Sequence, residues 1–74
     1  MKKFFKYITM FRKSISEHGY DLVETDKRIT GYRTYYYVNH NNNNRIAIEC
    51  NITDQKVTIY KNAKVIEKRY WTYV

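Results

Sequence analysis

Arg45-Ile46-Ala47-Ile48-Glu49-Cys50-Asn51-Ile52 decides the fold. Ile46, Ile48, Cys50 and Ile52 alternate with Arg45, Ala47, Glu49 and Asn51, the period of two that marks a strand with one dry and one wet face. Thr53-Asp54-Gln55 reads as a tight turn, after which Val57 and Ile59 alternate with Lys56, Thr58 and Tyr60. Lys61-Asn62-Ala63 turns the chain again, and Lys64 to Tyr73 forms a last strand. Its alternation breaks at the adjacent pair Val65-Ile66, which predicts a bulge or a break in register.

Upstream, Asn39-His40-Asn41-Asn42-Asn43-Asn44 is a loop, because asparagine tolerates left-handed backbone and bonds its own main chain. Tyr32 to Val38 is a strand dense in aromatic and β-branched residues. Asp26 to Gly31 is a turn or long hairpin loop, and Tyr20 to Thr25 is a shorter strand. Before Gly19 the period changes to that of a helix. Phe4, Ile8, Phe11 and Ile15 fall within a sector of roughly 60°, with Lys2, Lys6 and Lys13 opposite. Gly19 supplies the left-handed position after the helix, which makes Tyr20 and Ile15 the hydrophobic pair of a Schellman cap. His18 sits in the last turn, where a cation is favourable. The predicted helix covers residues 2–18. The expected architecture is a single α+β domain, residues 1–74, in which an N-terminal amphipathic helix packs on one face of a four- or five-stranded antiparallel meander.

Composition bounds the function. The chain has 74 residues, nine tyrosines, fourteen Lys and Arg against seven Asp and Glu, no proline and two glycines. A net charge of +7 draws polyanions or acidic protein faces. The hydrophobic content of 43% is too high for a disordered chain. Cys50 is the one cysteine, so it forms no internal disulfide, and it is expected as a small buried hydrophobe. Lys6, Arg12 and Lys13 interrupt the apolar start before it reaches the length of a signal peptide. Nothing approaches a membrane span, so the expected setting is cytoplasmic. The abundance of Lys, Asn, Ile and Tyr suggests an AT-rich genome such as that of a low-GC bacterium or its phage. No two carboxylates fall on the predicted helix, His18 and His40 lie far apart in sequence, and no zinc spacing or phosphate loop occurs. The expectation is a binding protein that is not an enzyme and uses no cofactor or metal.

The candidate site is the sheet's outer face. Arg45, Lys56 and Tyr60 fall opposite the apolar positions of their strands. In the strand of Tyr32 to Val38, Arg33, Tyr35 and Tyr37 are assigned outward, since a lone guanidinium is costly to bury. Rings flanked by cations stack bases and neutralise phosphates. The expected partner is therefore nucleic acid, held by Arg33, Tyr35, Tyr37, Arg45, Lys56 and Tyr60, with Lys2, Lys6 and Lys13 as further phosphate contacts. Gly31-Tyr32-Arg33-Thr34-Tyr35-Tyr36-Tyr37-Val38 superficially resembles the aromatic strand of an RNA-recognition motif. Thr30 stands where that motif has Lys or Arg, and no second helix follows, so no family is assigned. The alternative is a protein-interaction module, such as a phage or mobile-element inhibitor of a host defence protein, because Tyr, Trp and Arg concentrate interface energy. A homodimer through Tyr70, Trp71 and Tyr73 fits either reading.

Overall fold

The computed structural model describes the backbone of residues 2–70 and the side chains of residues 3–66. The chain forms helix α1 (Lys2–Glu17) and strands β1 (Asp21–Asp26), β2 (Tyr32–Val38), β3 (Arg45–Asn51), β4 (Lys56–Lys61) and β5 (Lys64–Tyr70). The strands make one antiparallel sheet in the order β1-β2-β3-β4-β5. This is the expected α+β meander with an N-terminal helix, resolved to five strands.

Phe4, Ile8 and Ile15 of α1 are buried together with Tyr20, Tyr35, Tyr37, Ile48, Cys50, Val57 and Ile59. Tyr7 and Phe11 flank this core on the helix side, with their rings stacked at 6.0 Å. The apolar stripe of α1 therefore seals one face of the sheet. The helix ends as its sequence predicts. Gly19 has φ +89°, the Tyr20 amide donates to the Ile15 carbonyl at 3.3 Å, and the Gly19 amide donates to Ser16 at 3.2 Å. Those are the two bonds of a Schellman cap, and Ile15 and Tyr20 are both buried beneath it.

The connections follow from asparagine and glycine chemistry. Asn39 donates its amide to Asn44 at 2.9 Å and accepts from the Asn43 amide at 2.8 Å, which closes the loop between β2 and β3. Asn62 and Ala63 take φ 51° and 69°, the left-handed pair of a tight hairpin whose twist matches the strands it joins. The Asn62 side-chain oxygen accepts from the Arg45 amide at 2.8 Å, so the β4–β5 turn is tied to the start of β3. The irregularity expected at Val65-Ile66 is present. Ile59 pairs with Glu67 and Tyr60 with Val65, which leaves Ile66 as the extra residue. A second bulge sits in β1, where Leu22 pairs with Tyr37 and Glu24 with Tyr36. Trp71, Tyr73 and the side chain of Tyr70, proposed above as a dimer contact, lie outside the described residues.

Gly31 and Gly19 test how the turns are held. At Gly31, φ is +84° and an added Cβ would stand 2.7 Å from Thr53 Oγ1, whereas at Gly19 the nearest atom, in the Asn39 side chain, would be 3.4 Å away. Left-handed backbone alone costs an L-residue about 1–2 kcal/mol. Gly19→Ala is expected to lose about 1 kcal/mol and Gly31→Ala about 2–3 kcal/mol in urea denaturation. Equal losses would show that Thr53 swings clear without cost.

Candidate functional site

The face of β2 that meets the helix is the opposite of the one expected. Arg33 pairs with Cys50, Tyr35 with Ile48 and Tyr37 with Ile46, and cross-strand partners share a face. Tyr35 and Tyr37 are therefore core residues, 8% and 2% exposed, and Arg33 is half-buried beside them. Their assignment to the outer surface is overturned. The physical reason is that the guanidinium is not alone. Arg33 Nη1 donates to Tyr35 Oη at 3.3 Å. From the helix, Arg12 lies with Cζ 3.9 Å from the centroid of the Tyr35 ring, and its Nε donates to Tyr37 Oη at 2.7 Å. The rings bury their carbon while each phenol oxygen receives a charged donor, so neither phenol is an unsatisfied polar group.

The outer face carries the other parity. Tyr32, Thr34, Tyr36 and Val38 point away from the helix, beside Asn51, Glu49, Ala47 and Arg45 of β3. Lys56, Thr58 and Tyr60 of β4 share that face. Arg45, Lys56 and Tyr60 thus lie where the sequence predicts, but they do not form one patch. Lys56 pairs with Asn51 at one end of β3, and Arg45 begins β3 at the other. Tyr36, Ala47 and Tyr60 form a row across three strands, with an alanine floor between two phenols. A shallow depression of about 680 Å³ opens over this row, lined also by Val23, Val38, Glu24, Glu49 and Arg45. Sequence reasoning missed Tyr36 as a surface residue and Glu24 as its neighbour. Both follow from the parity of β2, which no local signal fixes.

The cations are distributed differently from the expected cluster. Arg28 is engaged with Asp26, its Nη2 donating to Oδ2 at 2.7 Å and its Nε to Oδ1 at 3.1 Å. These bonds hold the Asp26 carboxyl down at about 2, chiefly through the Arg28 side chain. Lys3, Lys6 and Lys13 are exposed on α1, away from the sheet. Lys2 belongs to the helix, and its side chain lies outside the described residues. His18 Nδ1 lies 2.7 Å from the Ser14 carbonyl at the helix end, and His40 lies 3.6 Å from Asp21. Among the described residues no group of three His, Cys, Asp or Glu converges as metal ligands would. No described helix is long and apolar enough to cross a membrane. A scan of the chain against protein-family models finds no match, and neither does a search of curated proteins or of solved structures.

Cys50 is 1% exposed, and burial pushes its thiol up from 9.0 to about 11. A thiol held protonated and sealed in this way is a poor nucleophile. The folded state resists ionisation that the unfolded chain accepts, so this stabilisation is complete below pH about 9 and is lost as pH rises to about 11. Two units correspond to about 2–3 kcal/mol. In urea denaturation the stability advantage of wild type over Cys50→Ala is expected to narrow across that window. An unchanged advantage would mean the thiol is already solvated.

Proposed function

We propose that the protein is a non-catalytic binding module whose partner is another protein, met by the open face of the sheet. The observation that carries this reading is the depression over Tyr36, Ala47 and Tyr60. Its centre is apolar and aromatic, its rim is polar, and no element of the described chain covers it. Contiguous exposed apolar surface of this kind marks interaction sites. Val23 and Val65, 54% and 49% exposed, extend it toward both edge strands. Tyrosine suits such a surface, because it offers a large rigid contact at small entropic cost. Burial of Tyr35 and Tyr37 removes two of the rings expected to stack bases, and in the lining of the depression Glu24 and Glu49 outnumber the one cation, Arg45. Both facts favour a protein over nucleic acid on this face.

A second reading places a polyanion on the helix. It is favoured by the exposed lysines Lys3, Lys6 and Lys13, which have no carboxylate partner among the described residues. The nucleic-acid contact expected from the sequence moves, in this reading, from the sheet to α1.

Two measurements separate these readings. Tyr36→Ala and Ala47→Arg respectively remove a wall of the depression and fill its floor. Each is expected to weaken nuclease-resistant partner capture by about tenfold or more without changing the thermal midpoint. Capture that survives both substitutions would remove the sheet face from consideration. Binding of a fluorescent oligonucleotide is expected to fall steeply as salt rises from about 50 to about 200 mM if α1 contacts phosphates. Replacing Lys6 and Lys13 with Gln should flatten that slope by about two. No binding at low salt would end the second reading.

A further inference from the structure

We infer that Arg12 and Arg33, with the phenols of Tyr35 and Tyr37, form a binding site for a phosphate group at the seam between helix and sheet. This site is on the covered side of the sheet and does not depend on the protein contact proposed for the open side. Two guanidinium groups meet one phenol there. Arg12 stacks on the Tyr35 ring with Cζ 3.9 Å from its centroid, and Arg33 donates to the hydroxyl of the same ring at 3.3 Å. Two cations so placed repel each other unless an anion lies between or beside them. None is supplied by the described chain, where the ion pairs are Arg28 with Asp26 and His40 with Asp21.

The hydrogen-bonding inventory points the same way. A guanidinium has five N–H donors. Arg12 directs Nε to Tyr37 Oη at 2.7 Å, and Arg33 directs Nη1 to Tyr35 Oη. The remaining terminal N–H groups have no protein acceptor among these contacts. Each phenol accepts one of these bonds and keeps its own O–H to donate. Cys50, close enough to feel both guanidinium charges, stays protonated and so contributes no anion. The set is therefore rich in donors and lacks a negative acceptor. Both arginines are only half-buried, so neither side chain is sealed from solvent. A tetrahedral oxyanion can take a planar fork from each of two arginines approaching from different elements, which is the geometry arginine supplies and lysine does not. Stacking on Tyr35 and bonding to Tyr37 fix the Arg12 fork before a ligand arrives, which lowers the entropic cost of binding. The same phosphate chemistry is presented by free inorganic phosphate and by the backbone of a nucleic-acid strand.

The test is a titration of the whole chain at constant ionic strength in chloride. Arginine Nε resonances are followed by NMR, first with inorganic phosphate and then with a short single-stranded oligonucleotide. Saturable shifts of the Arg12 and Arg33 signals are expected. Arg33→Gln should weaken binding by about tenfold or more, and Arg33→Lys, which keeps charge but loses the fork, should fall between. A strand that binds more tightly than free phosphate identifies nucleic acid as the source, and equal affinities identify the free ion. If Arg33→Gln fails to fold, the wild-type titration decides. Shifts confined to other residues, no saturation with either probe, or an affinity that Arg33→Gln leaves unchanged would overturn the site.

Discussion

A guanidinium stacked on a phenol ties helix α1 to the sheet. Arg12 covers the Tyr35 ring and donates to the Tyr37 hydroxyl, two residues of β2 that point the same way. A partly desolvated cation–π contact contributes about 1–2 kcal/mol, and a hydrogen bond from a charged donor about 1.5–3 kcal/mol. More important than the sum is what the contact selects. In a strand a shift of one residue exchanges the two faces. With Tyr35 and Tyr37 turned toward α1, Ile48 and Ile46 lie directly beside them, and Thr34, Tyr36 and Val38 must face outward. The chemistry of both surfaces follows from that one choice.

Most of the element map is legible in the residues because its causes are local. The apolar stripe of α1, the glycine after it, the alternation in β3 and the break at Val65-Ile66 each act within a few positions. The face of β2 is not legible in the same way. Both of its sets contain tyrosines, so neither reads as the dry one. The rule that a lone arginine avoids burial points to the wrong set, because Arg33 has a phenol to bond. The deciding partner, Arg12, stands 25 residues from Tyr37 in the chain. Net charge misleads for a related reason. A total of +7 conceals that Glu24 and Glu49 share the lining of the open depression with Arg45 while Lys3, Lys6 and Lys13 stay on the helix.

The domain is thus two surfaces of unlike character on either side of one sheet. The open side offers rings, small apolar groups and charges of both signs, Glu24 and Glu49 beside Arg45. The helix side offers lysines at its crest and a pair of half-buried arginines at its base. The described residues supply one covering helix, and the opposite face of the sheet is open over Tyr36, Ala47 and Tyr60. Tyrosine makes that tolerable, since Tyr36 and Tyr60 keep hydroxyls for water and rings for contact.

How a partner meets the open side is limited by the edges of the sheet. An exposed edge strand invites another strand to extend the ladder. Here both edge strands are interrupted, β1 at Val23 and β5 at Ile66, and a bulge leaves a residue unpaired and bends the strand away from a straight template. Charge adds to this in β1, where Asp21, Glu24 and Asp26 lie along a strand of six residues. Strand addition is therefore disfavoured at either edge, although Leu22, Val23, Val65 and Ile66 are exposed there. The face between the edges has no such defence. Its pleat is regular through β2, β3 and the first part of β4, and its relief is set by Ala47 lying low between Tyr36 and Tyr60. A partner is steered to dock on the face, with side chains entering the depression, rather than to join the sheet by its backbone.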